Sequence, residues 1–393
     1  MPAERARSRR LPALAAGSLG VSARRAGLLL VLLIVQLAAC APARMPPGAE
    51  PGEPRLSTTH FVTADGLTLP LRAWLPERER WPAPKAVVLA LHGFNDYSNA
   101  FEAPGGWLAE RGIATYAYDQ RGFGAGPHAG LWAGSDVMAD DVRTAAALLG
   151  RRHPGVPLYL LGDSMGGAVA IVALSGPEPA PAAEGAVAGV ILSAPAVWSR
   201  ATMPLYQRVA LWVAARTIPW VRLSGSGLGI QASDNLEMLR ALGRDPLVIK
   251  ETRIDAMDGL TDLMSAALDA APDFRSRALL LYGDKDQVVP RAPSFRFWRA
   301  LPAVAATRQR RALYGEGWHM LLRDLQAEVV LADIAAWIEA GAAPLPPPLP
   351  SGADRHAEAA LREAGAEPEI ADEAPAPALP AGAALPAEGR SGS

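Results

Sequence analysis

Cysteine is almost absent from this 393-residue chain, which has only Cys40. A lone thiol closes no intramolecular disulfide, and no Cys and His residues recur at the spacing of a zinc site, so neither a disulfide framework nor a metal cofactor is expected. A surplus of either charge is missing too: 38 Lys and Arg stand against 40 Asp and Glu, for a net charge of -2. That balance removes the electrostatic footprint of a nucleic-acid partner. No apolar run reaches the length of about 20 residues that a membrane-crossing helix needs, and no internal repeat stands out. What the chain does have is bulk. With 50% hydrophobic and 20% charged residues it can bury a sizeable core, and its length fits one α/β domain carrying an insertion.

The two ends differ from the middle. Arg5, Arg7, Arg9, Arg10, Arg24 and Arg25 precede an uncharged apolar run from Ala26 to Ala39, which ends in small residues before Cys40. This is the order of an export signal, expected over residues 1–39. Leu37-Ala38-Ala39-Cys40 resembles the lipobox of bacterial lipoproteins, which implies that Cys40 is acylated and becomes the new N-terminus. Ala41 after the cysteine resembles lipoproteins passed on to an outer membrane, so the expected location is the cell envelope, lipid-anchored on the periplasmic side. Residues 40–56 are rich in Pro, Gly and Ala and read as a flexible tether. Residues 343–393 carry many Pro and Ala and no aromatic residue, which reads as a disordered tail.

Between them, residues 57–342 alternate strand and helix patterns. His60 to Trp74 reads as a hairpin around Asp65-Gly66. Val87 to Leu91, Ala114 to Tyr118, Pro157 to Leu161, Ala186 to Leu192 and Ala278 to Tyr282 are short apolar runs of the kind that form buried parallel strands. Helical stretches separate them, Ser135 to Arg152 among these, so a mostly parallel sheet covered by helices on both faces is expected. Chemistry in such sheets gathers at the carboxyl ends of the strands.

Gly162-Asp163-Ser164-Met165-Gly166 stands at such an end, between a buried strand and the helical run Ala168 to Leu174. The context fits a nucleophile elbow, in which glycines let strand and helix approach closely and the turn lifts Ser164 above the sheet. As a bare pattern it is weak, because a Gly-rich turn with an idle serine reads the same. A serine nucleophile needs a base. Of six histidines, His60 falls in the hairpin, His153 in a helix-to-strand loop, His356 in the tail and His128 in a loop after the fourth strand. His319 alone follows the last strand, Arg311 to Tyr314, and precedes a final helix. An acid lies upstream in Gly283-Asp284-Lys285-Asp286, completing the chain order Ser, Asp, His of the α/β-hydrolase fold. Two N–H donors for an oxyanion would come from Met165 and from Phe94 in the loop Leu91-His92-Gly93-Phe94, with His92 as a structural anchor of that loop.

Together His92-Gly93, Asp119 to Gly124, Gly162 to Gly167, Gly283 to Pro290 and Trp318-His319 resemble the monoacylglycerol lipase and lysophospholipase group of α/β-hydrolases, the serine aminopeptidase S33-like proteins. The resemblance spans roughly residues 57 to 340. It implies that Asp286 is the acid, because in that family the carboxylate stands three residues after the glycine and before an apolar pair and a proline, here Val288, Val289 and Pro290. Two positions depart from the family: Asp163 stands where His is frequent, and Asn95-Asp96-Tyr97-Ser98 where Gly-Glu-His-Ser is frequent. Both fall near the pocket entrance of that family and bear on substrate choice.

Residues 198–274, between the sixth and seventh expected strands, match the place where this fold inserts a helical cap. The segment holds Met203, Leu205, Tyr206, Val209, Leu211, Trp212, Ile218, Trp220 and Leu223, which could line an acyl pocket or equally pack the cap on the main domain. The expected activity is hydrolysis of a carboxylic ester, a monoacylglycerol, a lysophospholipid or a similar ester, through an acyl-enzyme without a cofactor. The partners are the small ester or lipid substrate and the membrane that holds the anchor; no protein partner is implied. An aminopeptidase or transacylase on the same triad is the alternative among enzymes, and a non-catalytic lipid-binding lipoprotein the alternative outside them.

Overall fold

The computed structural model describes residues 42–48, 51–175, 187–225, 227–302, 308–341 and 348–366. The expected signal and Cys40 lie outside these residues. Nine strands form one sheet in the order β1-β2-β3-β5-β4-β6-β7-β10-β11. β1 (Arg55–Leu56), β2 (His60–Val62) and β3 (Thr68–Trp74) are antiparallel, whereas β4 (Ala86–Leu91), β5 (Ile113–Tyr118), β6 (Leu158–Asp163), β7 (Val187–Ser193), β10 (Ala278–Gly283) and β11 (Gln309–Tyr314) run parallel. The hairpin turns where expected, with Gly66 at φ +83°.

β4, β5, β6 and β10 are buried along their whole length. That is why their apolar runs are continuous instead of alternating. The period of two survives as a choice between two cores: Val87, Leu89 and Leu91 face one, Ala86, Val88 and Ala90 the other. Helices α2 (Ser135–Arg152) and α3 (Met165–Leu174) fill the first side, and α1 (Glu102–Ala109) and α8 (Ala327–Glu339) the second. α7 (Arg291–Ala300) adds Phe295, Phe297 and Trp298 to the first core.

Between β7 and β10 stands the inserted cap, one strand later in the count than expected because the short β1 precedes the hairpin. It comprises α4 (Leu205–Thr217), a ribbon of β8 (Arg222–Ser224) and β9 (Glu251–Arg253), α5 (Leu236–Arg244) and α6 (Ile254–Asp269). Leu263, Met264, Ala267 and Leu268 of α6 join the first core, which roots the cap in the main domain.

Two expectations about the ends are corrected. The tether is not loose where it is described. Arg44 bridges Trp132, the Met45 N–H donates to the Trp132 carbonyl at 3.0 Å, and the Met45 side chain is buried. The tail, expected to be disordered from residue 343, contains α9 (Ala353–Ala366), packed on β11. Composition suggested too little apolar bulk, but Ala353, Ala357, Ala360, Leu361 and Ala364 share one face, and small residues let the helix sit close to the sheet. Asp354, buried, pairs with Arg310 on that strand.

A charge at Ala357 would therefore enter a closed apolar contact. Ala357→Glu is expected to lower stability by about 3 kcal/mol or more, whereas His356→Glu at the neighbouring exposed position should stay within about 0.5 kcal/mol. Urea denaturation of both variants checks this. Equal, negligible effects would mean that α9 does not dock.

Candidate active site

Ser164 sits where β6 turns into α3, at φ +51° and ψ -113°. A residue with a side chain rarely adopts this backbone, and it persists only when its surroundings over-determine it. Here they do. The Ser164 N–H donates to the Ser193 carbonyl at 2.9 Å, and its own carbonyl accepts from the N–H groups of Gly167, Ala168 and Ala196. The flanking glycines are required by contact: a Cβ on Gly162 would stand 2.5 Å from the Gly167 Cα, and one on Gly166 2.0 Å from the Leu91 carbonyl oxygen.

His319 lies in the loop after β11, nearly fully buried, and its Nδ1 meets Asp286 Oδ2 at 2.8 Å. The other oxygen of Asp286 accepts the N–H groups of Val288 (2.7 Å) and Val289 (3.0 Å), which fixes the carboxylate. Asp284 points elsewhere, to Arg291 at 2.9 Å. Burial disfavours the charged imidazole, but the charge of Asp286 and its hydrogen bond outweigh it, helped by Asp163 and Asp324, so the His319 pKa is raised above its usual 6.5.

Ser164 and His319 line one cavity with Gly93, Phe94 and Met165. The loop carrying Phe94 comes close enough that a Cβ on Gly93 would lie 3.5 Å from the Ser164 Cβ. Among the described residues neither the Phe94 nor the Met165 N–H donates to a backbone carbonyl. His92 is buried and committed: Nε2 accepts the Gln120 N–H at 2.9 Å, so Nδ1 carries the proton it gives to the Gly93 carbonyl at 2.8 Å. Burial pushes its pKa down, so it stays neutral and braces the loop.

Arg323 and Asp324 escaped the sequence reading, as did the surroundings of Asp96 and Asp163. Arg323 pairs with Asp96 at 2.7 Å, and both line the cavity beside Asp163. Asp163 is buried, its Oδ1 has no partner among the described residues, and burial raises its pKa. Asp324 accepts the Trp318 N–H at 2.8 Å and the Ser233 hydroxyl at 2.6 Å, thereby holding the His319 loop; burial pushes its carboxyl up to about 6. The only hint of these roles was nearness to His319 and to the departures at Asp96 and Asp163. The cap's contribution also differs from expectation. Leu242, Val248, Leu260 and Met264 face the cavity, whereas Trp212 and Trp220 are 55% and 50% exposed and do not line it.

Known proteins resemble this chain in sequence and in fold. The monoacylglycerol lipase of Mycolicibacterium smegmatis is 28% identical over 290 residues, covering 71% of this chain and 95% of that one. The human monoglyceride lipase is 25% identical over 287 residues, covering 71% and 89%. Among solved structures, the Paleococcus ferrophilus monoacylglycerol lipase superposes with a TM-score of 0.55 at 21% identity, over 69% of this chain and 98% of that one. A soluble variant of the Saccharomyces cerevisiae monoglyceride lipase gives 0.59 at 19% identity, over 75% and 98%. The fold is that of the α/β-hydrolases. The family model for serine aminopeptidase, S33, matches residues 82–326, more than half of the chain, and the chain belongs to that family.

Proposed function

We propose that this protein is a serine hydrolase that cleaves carboxylic esters through an acyl-enzyme, with Ser164 as nucleophile, His319 as general base and Asp286 as the carboxylate that orients it. The observation that carries the reading is the 2.8 Å bond from His319 to a fixed Asp286, in a cavity shared with a strained Ser164. His319 Nε2 takes the hydroxyl proton as Oγ attacks the ester carbon. The carbonyl oxygen becomes an oxyanion held by the Phe94 and Met165 N–H groups. Collapse expels the alcohol, which leaves with the proton from His319. Water then repeats the sequence, releasing the carboxylic acid and restoring Ser164.

The cavity wall supports a monoacylglycerol, a lysophospholipid or a similar ester. Leu242, Val248, Leu260, Met264, Val288 and Val289 offer an apolar surface for an acyl chain, while Asp96, Asp163 and Arg323 offer polar groups to a hydroxylated leaving group. The names of the relatives point the same way. The site belongs to the cell envelope in this reading, with the mature chain anchored through acylated Cys40 on the periplasmic side of an outer membrane.

The tests of the reading concern residue roles first, then pH and then chain length. A fluorophosphonate should label the wild type and not Ser164→Ala. On one activated ester, Asp286→Asn should lower kcat by on the order of 10³ to 10⁴, while Asp284→Asn stays within about tenfold, since an exposed carboxylate contributes little. If Asp284→Asn is the dead variant, the acid is misassigned.

The second outcome concerns pH. The base works only as neutral imidazole, and a raised pKa keeps the proton on His319 to higher pH. Activity should therefore fall on acidification with a midpoint of kcat/KM above pH 6.5. A midpoint at or below that value contradicts the influence of Asp286.

The third concerns chain length. Leu260→Trp fills the apolar wall and should depress turnover of long-chain glycerol esters at least tenfold more than that of acetyl esters. Equal loss on both would place the acyl chain elsewhere. An aminoacyl anilide run beside the esters should be a poor substrate.

A further inference from the structure

The loop that carries the Phe94 N–H is tied to the cap by a side chain that the turn itself does not need. Gly93 to Asp96 form a turn closed by the Asp96 N–H on the Gly93 carbonyl at 3.3 Å, and Asn95, its third residue, stands at φ +65°. Glycine supplies that backbone at this place in a turn, and Asn or Asp do so less readily. Glycine, frequent here in the family, would serve the turn alone. Asn95 does more. It is buried, and its Nδ2 donates to the hydroxyl of Thr252, also buried, at 2.6 Å on strand β9 of the cap. Its carbonyl accepts the Ile249 N–H at 2.9 Å, from the cap segment before β9. Two hydrogen bonds of one residue thus cross from the main domain to the cap, next to Phe94.

The Phe94 ring meets the cap by a second route. It packs edge-on against Phe123, with centroids 5.5 Å apart, and beside Trp132 at 6.3 Å. Trp132 in turn lies so close to α6 that a Cβ on Gly259 would stand 2.3 Å from its Cδ1. The cap therefore reaches the Phe94 loop through α6 behind Trp132 and through Ile249 and Thr252 at Asn95. The same two stretches of the cap line the cavity, since Val248 precedes Ile249 and Leu260 follows Gly259. The aim of the Phe94 N–H is thus set by the cap as well as by β4, which leads into the loop. An oxyanion donor acts through preorganisation, so small displacements of it are costly.

Resting on the reading that the Phe94 N–H holds the oxyanion, we propose that Asn95 is a positioning residue whose bonds to Thr252 and Ile249 make the oxyanion hole depend on the seated cap. A cap displaced from its seat takes both partners of Asn95 with it and leaves the donor without a fixed aim. The hole is complete only while the cap covers the cavity.

The test compares Asn95→Gly, which keeps the turn, with Thr252→Val, which keeps the shape of Thr252 without its hydroxyl. Circular dichroism confirms that each is folded, and both are assayed on one activated ester. Each should lower kcat at least about tenfold, less than the roughly 10² to 10³ that follows outright removal of an oxyanion donor, with KM within about threefold of the wild type. Affinity for a trifluoromethyl ketone, which adds to the serine as a tetrahedral adduct bearing an oxyanion, should fall by the same factor as kcat. The double variant should be about as slow as the slower single one, because both changes break one bond, and Thr252→Ser should keep at least about half of the wild-type kcat. Unchanged kcat in Thr252→Val, losses confined to KM, or losses that multiply in the double variant overturn the proposal. Phe94→Pro removes the donor itself at a turn position that suits proline. Unchanged kcat and ketone affinity in that variant overturn the oxyanion assignment, whereas a dead Phe94→Pro beside a fully active Asn95→Gly overturns the positioning role alone.

Discussion

The strained turn at Ser164 is the constraint on which the site depends. A residue at φ +51° cannot hold itself there. The cost is met by a main chain hydrogen-bonded at both ends and by the approach of α3 to β4 and β6, which leaves no room for a Cβ at Gly162 or Gly166. The approach in turn requires fully buried parallel strands, and these require helices on both faces. Layering, strand burial and the position of one hydroxyl in the cavity are a single arrangement.

Around that turn, the loops at the carboxyl ends of the strands are held by buried polar groups. His92 ties the Phe94 loop to Gln120, Asp324 ties the His319 loop to Ser233 in the cap, and Arg323 ties it to Asp96. Arg121, buried, bonds both Asp141 on α2 and Asp65 in the hairpin turn. Its partners respond differently: hydrogen bonding to Arg121 holds Asp65 well below the usual carboxylate range, while burial lifts Asp141 to about 6. Removing one member of such a set leaves an uncompensated charge in a poorly polarisable medium, so these links constrain geometry more than they add stability.

The cap has two apolar faces with different work. Its inner residues, Leu242, Val248, Leu260 and Met264, close over the cavity, and its outer residues on α4, Leu205, Tyr206, Val209, Trp212 and Val213, are exposed. Reading the cap's apolar residues as one set conceals this division, since hydropathy does not say toward which side a group points. Trp212 and Trp220 show the consequence: the same residues suit a pocket lining or an outer surface, and only their exposure separates the two.

Much of the fold was legible in the sequence because it follows from local rules. The continuous apolar runs that became β4, β5, β6 and β10, the Asp65-Gly66 turn and the Gly-Asp-Ser-Met-Gly elbow each carry their own backbone preference, and the order of Ser164, Asp286 and His319 followed from where strands end. The pairing of Arg323 with Asp96, the burial of Asp163 beside them, the docking of Met45 at Trp132 and the folding of α9 onto β11 were not legible. Each joins residues distant in sequence, and its free energy comes from burial that exists only once the sheet is assembled. A Pro/Gly/Ala-rich segment reads as loose by composition, yet it docks where the surface beside it offers a carbonyl, a carboxylate and a hollow. Local sequence thus determined which segments form strands and turns and which residues are candidates for chemistry; tertiary structure decided which side chains face the cavity, which face outward and which ends are held, because those depend on neighbours that the chain acquires only by folding.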